Sequence, residues 1–355
     1  MAAKYQQLAG ILRSELSSVA KQGGKLPTEA ELSRRYHMSR QTVRHALQLL
    51  TEEGLVFSRQ GSGTFLSPPA PKQSAGPIAV ITTFLDDYIF PKILHDVQSV
   101  FSESGYSIIV FSTDNLVSRE REILQELLSM PISGVLAEGT KSALPSPNTD
   151  LYLRMHNKGV PILFLHGIYS NLTGFPCVSD ANESGGYILT RYLLEKGHRN
   201  IAAFLKSDDM QGPQRYQGIV CALRDRDIPI PDGRFFWYDT DRRRELIDSK
   251  QSDYLLNIIQ HHMDGVSAVI CYNDEIANLL IKRLLDLGRR VPEEMAVVSF
   301  DDSYYSQICP VPITSLCHRI PRTGQAAAQI LLDMLNGQPP QSMAIGWELV
   351  RRKSG

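Results

Sequence analysis

The chain has 355 residues, more than one ordinary domain and enough for two, with 43% hydrophobic and 21% charged residues, the balance of a globular protein with a sizeable core. No apolar run approaches the roughly 18 residues of a membrane span, the N-terminus lacks the apolar block and cleavage site of a secretory leader, and the five cysteines form no CxxC pair; reduced thiols in a cytoplasm are expected, with no disulfide and no metal site. The net charge of −1 is unevenly spread: residues 1–67 carry nine basic and five acidic side chains, net +4, leaving −5 for the remainder, as suits a DNA-binding head on a separate sensing body.

In chain order, Tyr5, Leu8, Ile11, Leu12 and Leu16 recur at helical spacing. Thr28-Glu29-Ala30-Glu31 is a capping-box signature that opens a short second helix with Leu32 and Tyr36 inward. His37-Met38 forms a turn, and Ser39 caps a third helix from Arg40 to about Glu53, whose inward stripe is Val43, Ala46, Leu47 and Leu50 and whose stop is Gly54. Alternating runs at 55–59 and 64–66 around Gln60-Gly61-Ser62-Gly63 read as a β-hairpin. Three helices, a turn between the second and third, and a hairpin describe a winged helix-turn-helix, whose third helix enters the major groove by its first turn. Arg40 has the fork for guanine and Gln41 the amide for adenine, while Ser39, Thr42 and Arg44 suit phosphates. Gln60 and Gly61 at the wing tip suit the minor groove, and Lys4 and Arg59 add phosphate contacts.

The stretch 67–77, SPPAPKQSAGP, has no large apolar residue and is read as a linker between a head at 1–66 and a body at 78–355. In the body, near-continuous apolar strands at 78–83, 107–113, 134–138, 161–166, 201–206, 235–240, 268–273 and 296–300 alternate with helices such as 119–128, 183–196 and 274–287. This alternation predicts doubly wound parallel sheets, and so many strands predict two α/β lobes with a cleft. Asn273-Asp274 and Asp301-Asp302 stand at strand ends, where open sheets bind ligands, and Phe84, Tyr88, Phe90 and Tyr272 offer faces for a sugar ring. Arg215 follows the 201–206 strand and reaches toward the same cleft; His166 and Asp180 also sit at strand ends. The competing structural roles are a helix cap for Asp274 or Asp302 and a surface ion pair for Arg215.

The run 26–66 resembles the winged helix of the GntR family in Leu26-Pro27-Thr28-Glu29, Ser39-Arg40-X-Thr42-Val43-Arg44, Gly54-Leu55 and Gly61-X-Gly63-Thr64-Phe65, which implies DNA contacts at Arg40, Thr42, Arg44, Gln60 and Gly61. Residues 77–355 resemble the LacI-type sensor, similar to periplasmic sugar-binding proteins, in Gly197-His198-X-Asn200-Ile201, Tyr272-Asn273-Asp274, Val291-Pro292, Phe300-Asp301-Asp302 and Thr314-Ser315-Leu316. A GntR head on a LacI-like body resembles the arabinose-responsive repressors of Gram-positive bacteria, a match carried by 87–91, 140–144, 208–212 and 271–277. That resemblance implies effector contacts at Tyr88, Lys141, Arg215, Asn273, Asp301 and His318, L-arabinose as effector, operator DNA as partner and a homodimer. The loops at 81–85 and 138–139 depart from the pattern, and another sugar or a purine co-repressor stays open beside arabinose, as does activation beside repression. An enzyme with a DNA-binding head is the reading from another class; without GxSxG, HExxH or Walker motifs, and without the longer chain and Schiff-base lysine of aminotransferase-like relatives, neither catalysis nor a cofactor is expected.

Overall fold

The computed structural model describes residues 4–21, 25–52, 55–59, 63–66, 76–85, 88–248 and 253–355. They divide into two compact units, 1–75 and 76–355.

The first unit holds α1 (Lys4–Lys21), α2 (Glu29–Arg35), α3 (Arg40–Glu52) and the antiparallel strands β1 (Val56–Arg59) and β2 (Gly63–Leu66). The capping box forms at α2: Thr28 Oγ1 accepts the Glu31 amide at 3.3 Å, and Glu31 Oε2 accepts the Thr28 amide at 2.7 Å. Ser39 Oγ caps α3 by accepting the Thr42 amide at 3.2 Å. Val43, Ala46 and Leu50 meet Leu8, Ala9 and Leu32 in a closed core; Ile11 instead lies 41% exposed, so the inward stripe of α1 runs through Ala9. Phe57 and Phe65 stack across the hairpin, and Leu26 N–H donates to Thr64 O to tie the hairpin to the helices. Gln60, Gly61 and the Arg59 side chain lie outside the described residues, as does most of the 67–77 stretch.

The second unit runs β3 (Ile78–Thr82), α4 (Phe90–Glu103), β4 (Ile108–Ser112), α5 (Val117–Leu127), β5 (Gly134–Glu138), α6 (Thr149–Asn157), β6 (Ile162–Leu165) and β7 (Cys177–Asp180) through one lobe. It then crosses to a second lobe for α7 (Asn182–Glu195), β8 (Ile201–Lys206), α8 (Gln211–Arg224), β9 (Phe235–Tyr238), α9 (Thr240–Asp248), α10 (Asp253–His261), β10 (Ala268–Cys271), α11 (Asp274–Asp286), β11 (Ala296–Phe300), α12 (Tyr305–Ile308) and β12 (Thr314–His318). α13 (Thr323–Leu335) and β13 (Met343–Ile345) return to the first lobe, and β14 (Trp347–Val350) ends in the second, so the chain crosses three times at one side. The sheet orders are β13-β7-β6-β5-β3-β4, wholly parallel, and β14-β12-β11-β10-β8-β9, parallel except for the antiparallel edge β14. β12, β13 and β14 were not foreseen as strands, and of β7 only the end at Asp180 was. β12 is polar yet buried because Ser315 Oγ donates to Asp274 and Thr314 Oγ1 to Arg352 O. No described helix is long and apolar enough to cross a membrane.

Candidate functional site

In the first unit, the start of α3 is exposed. Arg40 and Gln41 point to solvent and bury nothing of the core stripe, which leaves them available to a partner. Ser39 and Thr42 share a hydroxyl–hydroxyl bond of 2.8 Å that fixes the turn, and Lys4 is exposed at the opening of α1. Arg44 is tied to Glu29 of α2 by two bonds of 3.0 and 3.2 Å; a pair this exposed is screened by solvent, so a phosphate competes for it readily.

In the second unit, the C-terminal ends of both sheets face one cavity of about 520 Å³ including its mouth. Apolar strands end in polar residues here, and parallel sheets present those ends to the crevice. Tyr88, His166, Asn273 and Asp301 line it; the last three stand at strand ends, and Tyr88 comes from the loop after β3. Tyr88, His166 and Asp301 are left-handed at φ 60°, 60° and 92°, a conformation that costs non-glycine residues of order 1–3 kcal/mol and concentrates at functional sites. Asn273 also caps α11, its Oδ1 accepting the Ile276 amide at 3.1 Å.

Tyr88 reaches from the first lobe to the second. Its hydroxyl donates to Asp301 Oδ2 at 2.8 Å and accepts the Asp274 amide at 3.2 Å, and burial together with the neighbouring carboxylates pushes the phenol well above its ordinary pKa. His166 Nδ1 bonds Glu138 Oε1 at 2.7 Å. Burial opposes the imidazolium, but the Glu138 bond and charge outweigh it and push His166 up to about 9. His166 is therefore an imidazolium at neutral pH with two N–H donors, and its Nε2 has no partner among the described residues. Tyr238 OH, buried on the same wall, also lacks one.

Four expected effector residues lie elsewhere. Lys141 is a left-handed turn residue after β5, engaged through its backbone N–H with Asn115 Oδ1 at 2.7 Å, and it is not part of the wall. Arg215 is fully buried behind the wall, donating to Tyr272 O, to Asn182 Oδ1 at 3.0 Å and to Asp301 Oδ1 at 3.4 Å, with its guanidinium 4.0 Å from the Phe300 ring centroid. It is neither a surface pair nor a wall residue; it positions Asp301. Asp180 and His318 form a 2.9 Å pair on the hinge side, shared with Gln211 and Thr323; His318 lines a neighbouring pocket that shares Ile89 and Asp301 with the cavity. Burial opposes Asp180 ionisation, yet His318, His166 and Arg215 hold its pKa well below the carboxylate range. Asp274 is not the cap: its carboxylate is buried among Ser299, Ser303 and Ser315, and burial pushes it up to about 7. Asp302 pairs with Arg352 at 2.7 Å.

The ammonium on the wall belongs to Lys206, 2% exposed, whose Nζ meets Asp209 Oδ2 at 2.5 Å and Asp208 Oδ1 at 3.1 Å. A lysine closing the buried strand IAAFLK was a readable signal that we missed. Arg243, from α9, forms two 2.9 Å bonds to Glu275 and stacks 4.8 Å over Phe84 of the other lobe; nothing in the local charged run DRRRE sets it apart from its neighbours, and it was not among the expected site residues.

A model of the bacterial regulatory proteins of the gntR family matches residues 4–66, and one of the periplasmic binding protein-like domain matches 190–355. An arabinose metabolism transcriptional repressor of Geobacillus stearothermophilus is 36% identical over 94% of this chain and 91% of its own length. The chain belongs to this family of GntR-headed transcriptional repressors. A second member, from Halalkalibacterium halodurans, is 33% identical over 98% of this repressor and 93% of its own length. A periplasmic binding protein/LacI transcriptional regulator from Alkaliphilus metalliredigens, solved with D-xylulofuranose, shares the two-lobed fold at a TM-score of 0.65, with 18% identity over 78% of this repressor and 98% of its own chain.

Proposed function

We propose that this repressor silences arabinose-utilisation genes in the cytoplasm and that a neutral monosaccharide, L-arabinose, releases it from operator DNA by binding between the lobes. One observation carries the sugar reading: two buried donors, His166 Nε2 and Tyr238 OH, are left without partners among the described residues on the wall of the same cavity. Buried polar groups require partners, and a polyhydroxyl ring supplies acceptors and donors on every edge while Phe84 and Phe90 cover its apolar face. The wall cations His166, Lys206 and Arg243 stand against Glu138, Asp209 and Asp301, a balance that favours an uncharged ligand over a sugar phosphate. The relatives' names supply the particular sugar.

In this reading residues 1–66 are the DNA head, 67–77 the linker and 78–355 the sensor. Arg40 and Gln41 read bases, Ser39, Thr42, Arg44 and Lys4 hold phosphates, and Arg59, Gln60 and Gly61 form the wing contact. A homodimer places two heads on paired half-sites. Sugar shifts operator affinity only as far as it binds the released state more tightly. The test is titration calorimetry of the full chain with L-arabinose, D-xylose, D-glucose and guanine, followed by gel shift on an operator-bearing fragment. Heat with L-arabinose and loss of the shifted band are expected; no heat with any aldose, or a band indifferent to the sugar that binds, overturns the reading.

A further inference from the structure

The cavity is closed on one side by the three chain crossings. On another side α9 and the loop before α8 meet the Asp114-Asn115 corner of the first lobe. Asp114 and Asn115 are consecutive left-handed residues, at φ 49° and 55°, just past the edge strand β4. Asn115 is fully buried. Its Oδ1 is held within its own lobe by the Lys141 amide, while its Nδ2 crosses the cleft to Thr240 Oγ1 at 2.6 Å and Asp209 Oδ1 at 3.3 Å. Thr240, the first residue of α9, passes the link on to Asp208 Oδ2 at 2.7 Å. One turn later Arg244 Nη2 donates across the cleft to Asp114 O at 2.8 Å. Asp209 is at once the partner of Asn115 and of the wall lysine, Lys206. The carboxylate that orients a wall cation is therefore the group that the opposite lobe grips.

We propose that the first turn of α9 and the Asp114-Asn115 corner form a clasp, in which Asn115 and Arg244, neither of them on the cavity wall, act as positioning residues that set how readily the lobes close on an effector. A ligand that engages Lys206 holds Asp209 where Asn115 meets it, and a clasp that is already formed lowers the ordering that the ligand must impose. The strained corner is kept because both faces of Asn115 are satisfied only when the lobes are together. The effect on sugar affinity rests on the sensing function proposed above; the clasp itself does not.

Hydrogen exchange separates the two. The interlobe bonds from Ala143 N–H to Asp208 O and from Met210 N–H to Ser142 Oγ make these amides reporters of closure that lie outside the clasp. In the full chain without sugar, Arg244→Ala, an exposed-side variant that disturbs no core, is expected to speed exchange in segments 140–146 and 207–213 while β10 keeps its protection. Asn115→Asp, which removes the donor and sets a carboxylate against Asp209, is expected to do so more strongly. With sugar, the dissociation constant is expected to rise about threefold to tenfold for Arg244→Ala, the loss of one net hydrogen bond. Both segments exchanging at the wild-type rate in both variants overturns the clasp. If the wild-type chain binds no aldose, the sensing function falls, and the sugar-free exchange still decides the clasp.

Discussion

The His166–Glu138 pair gives the site a pH signature that can be worked out in advance. His166 is buried and its pKa is raised from 6.5 to about 9. A folded-state value above the unfolded one stabilises the protein fully below the unfolded pKa and is lost as pH climbs through the folded one. At 1.36 kcal/mol per pH unit, the contribution is roughly 3 kcal/mol near pH 6 and falls to about 0.5 kcal/mol at pH 9. The perturbation is His166→Gln, which keeps a neutral polar side chain beside Glu138 and removes the titration. Urea unfolding of both proteins at each half unit from pH 6 to 9.5 measures it, followed by the fluorescence of Trp237 and Trp347. The stability of the wild type relative to the variant should shrink by roughly 2–3 kcal/mol across that range. Glu138 and Asp180, whose carboxyls His166 helps to hold down, lose that support in the variant, so the difference reports the titration of His166 together with theirs. A difference flat in pH would refute the argument, because it would mean that His166 is neutral when folded and that its Nε2 is not a standing donor into the cavity.

Three further outcomes follow from particular contacts. Arg40→Ala removes an exposed side chain from the start of α3 and should leave the unfolding midpoint unchanged while weakening operator binding by about 1–3 kcal/mol in a filter or gel-shift titration. Lys206→Met strands Asp208 and Asp209 in a buried wall; a loss of about 3–5 kcal/mol in urea unfolding is expected, with much of it recovered when Asp209→Asn is added, since the penalty comes from the unpaired carboxylate. Gly218→Ala places a methyl 1.9 Å from Glu183 O where α7 and α8 touch backbone to backbone, so the helices must separate, at a cost of about 1–3 kcal/mol read as a lowered urea midpoint.

What was legible in the sequence is what local pattern decides. The Thr28–Glu31 box, the Ser39 cap and the Val43, Ala46, Leu47 and Leu50 stripe all act within four residues, and the structure forms each of them. The buried strands β3, β5, β8, β10 and β11 were equally plain, because strands covered on both faces are apolar throughout. β12 is buried by partners distant in the chain: Ser315 is tolerable there only because Asp274 accepts its proton. β13 and β14 are edges whose pairing depends on a chain return after α13 that no local window contains.

The site was legible in one dimension and hidden in the next. Position at a strand tip marked His166, Asn273 and Asp301, which line the cavity, and also Asp180, which does not; Tyr88, in the loop after β3, was marked as an aromatic face and by the family resemblance. Position could not say how many layers deep a side chain ends. Arg215 and Asp301 both look like wall residues in sequence, yet the guanidinium is the longer side chain and threads behind Phe300 and Tyr272, where it holds the carboxylate in place. Elsewhere the counter-charge stands on the wall itself, Glu138 beside His166 and Asp209 beside Lys206. Each ionised wall group named here thus has a counter-charge beside or behind it, so the wall presents directed hydrogen bonds with little net field. Under the proposed function, that arrangement would discriminate among neutral polyols by the placement of their hydroxyls. It also means that a change in the backing layer acts on the ligand by turning a wall group, and such changes should alter which sugar binds best before they abolish binding.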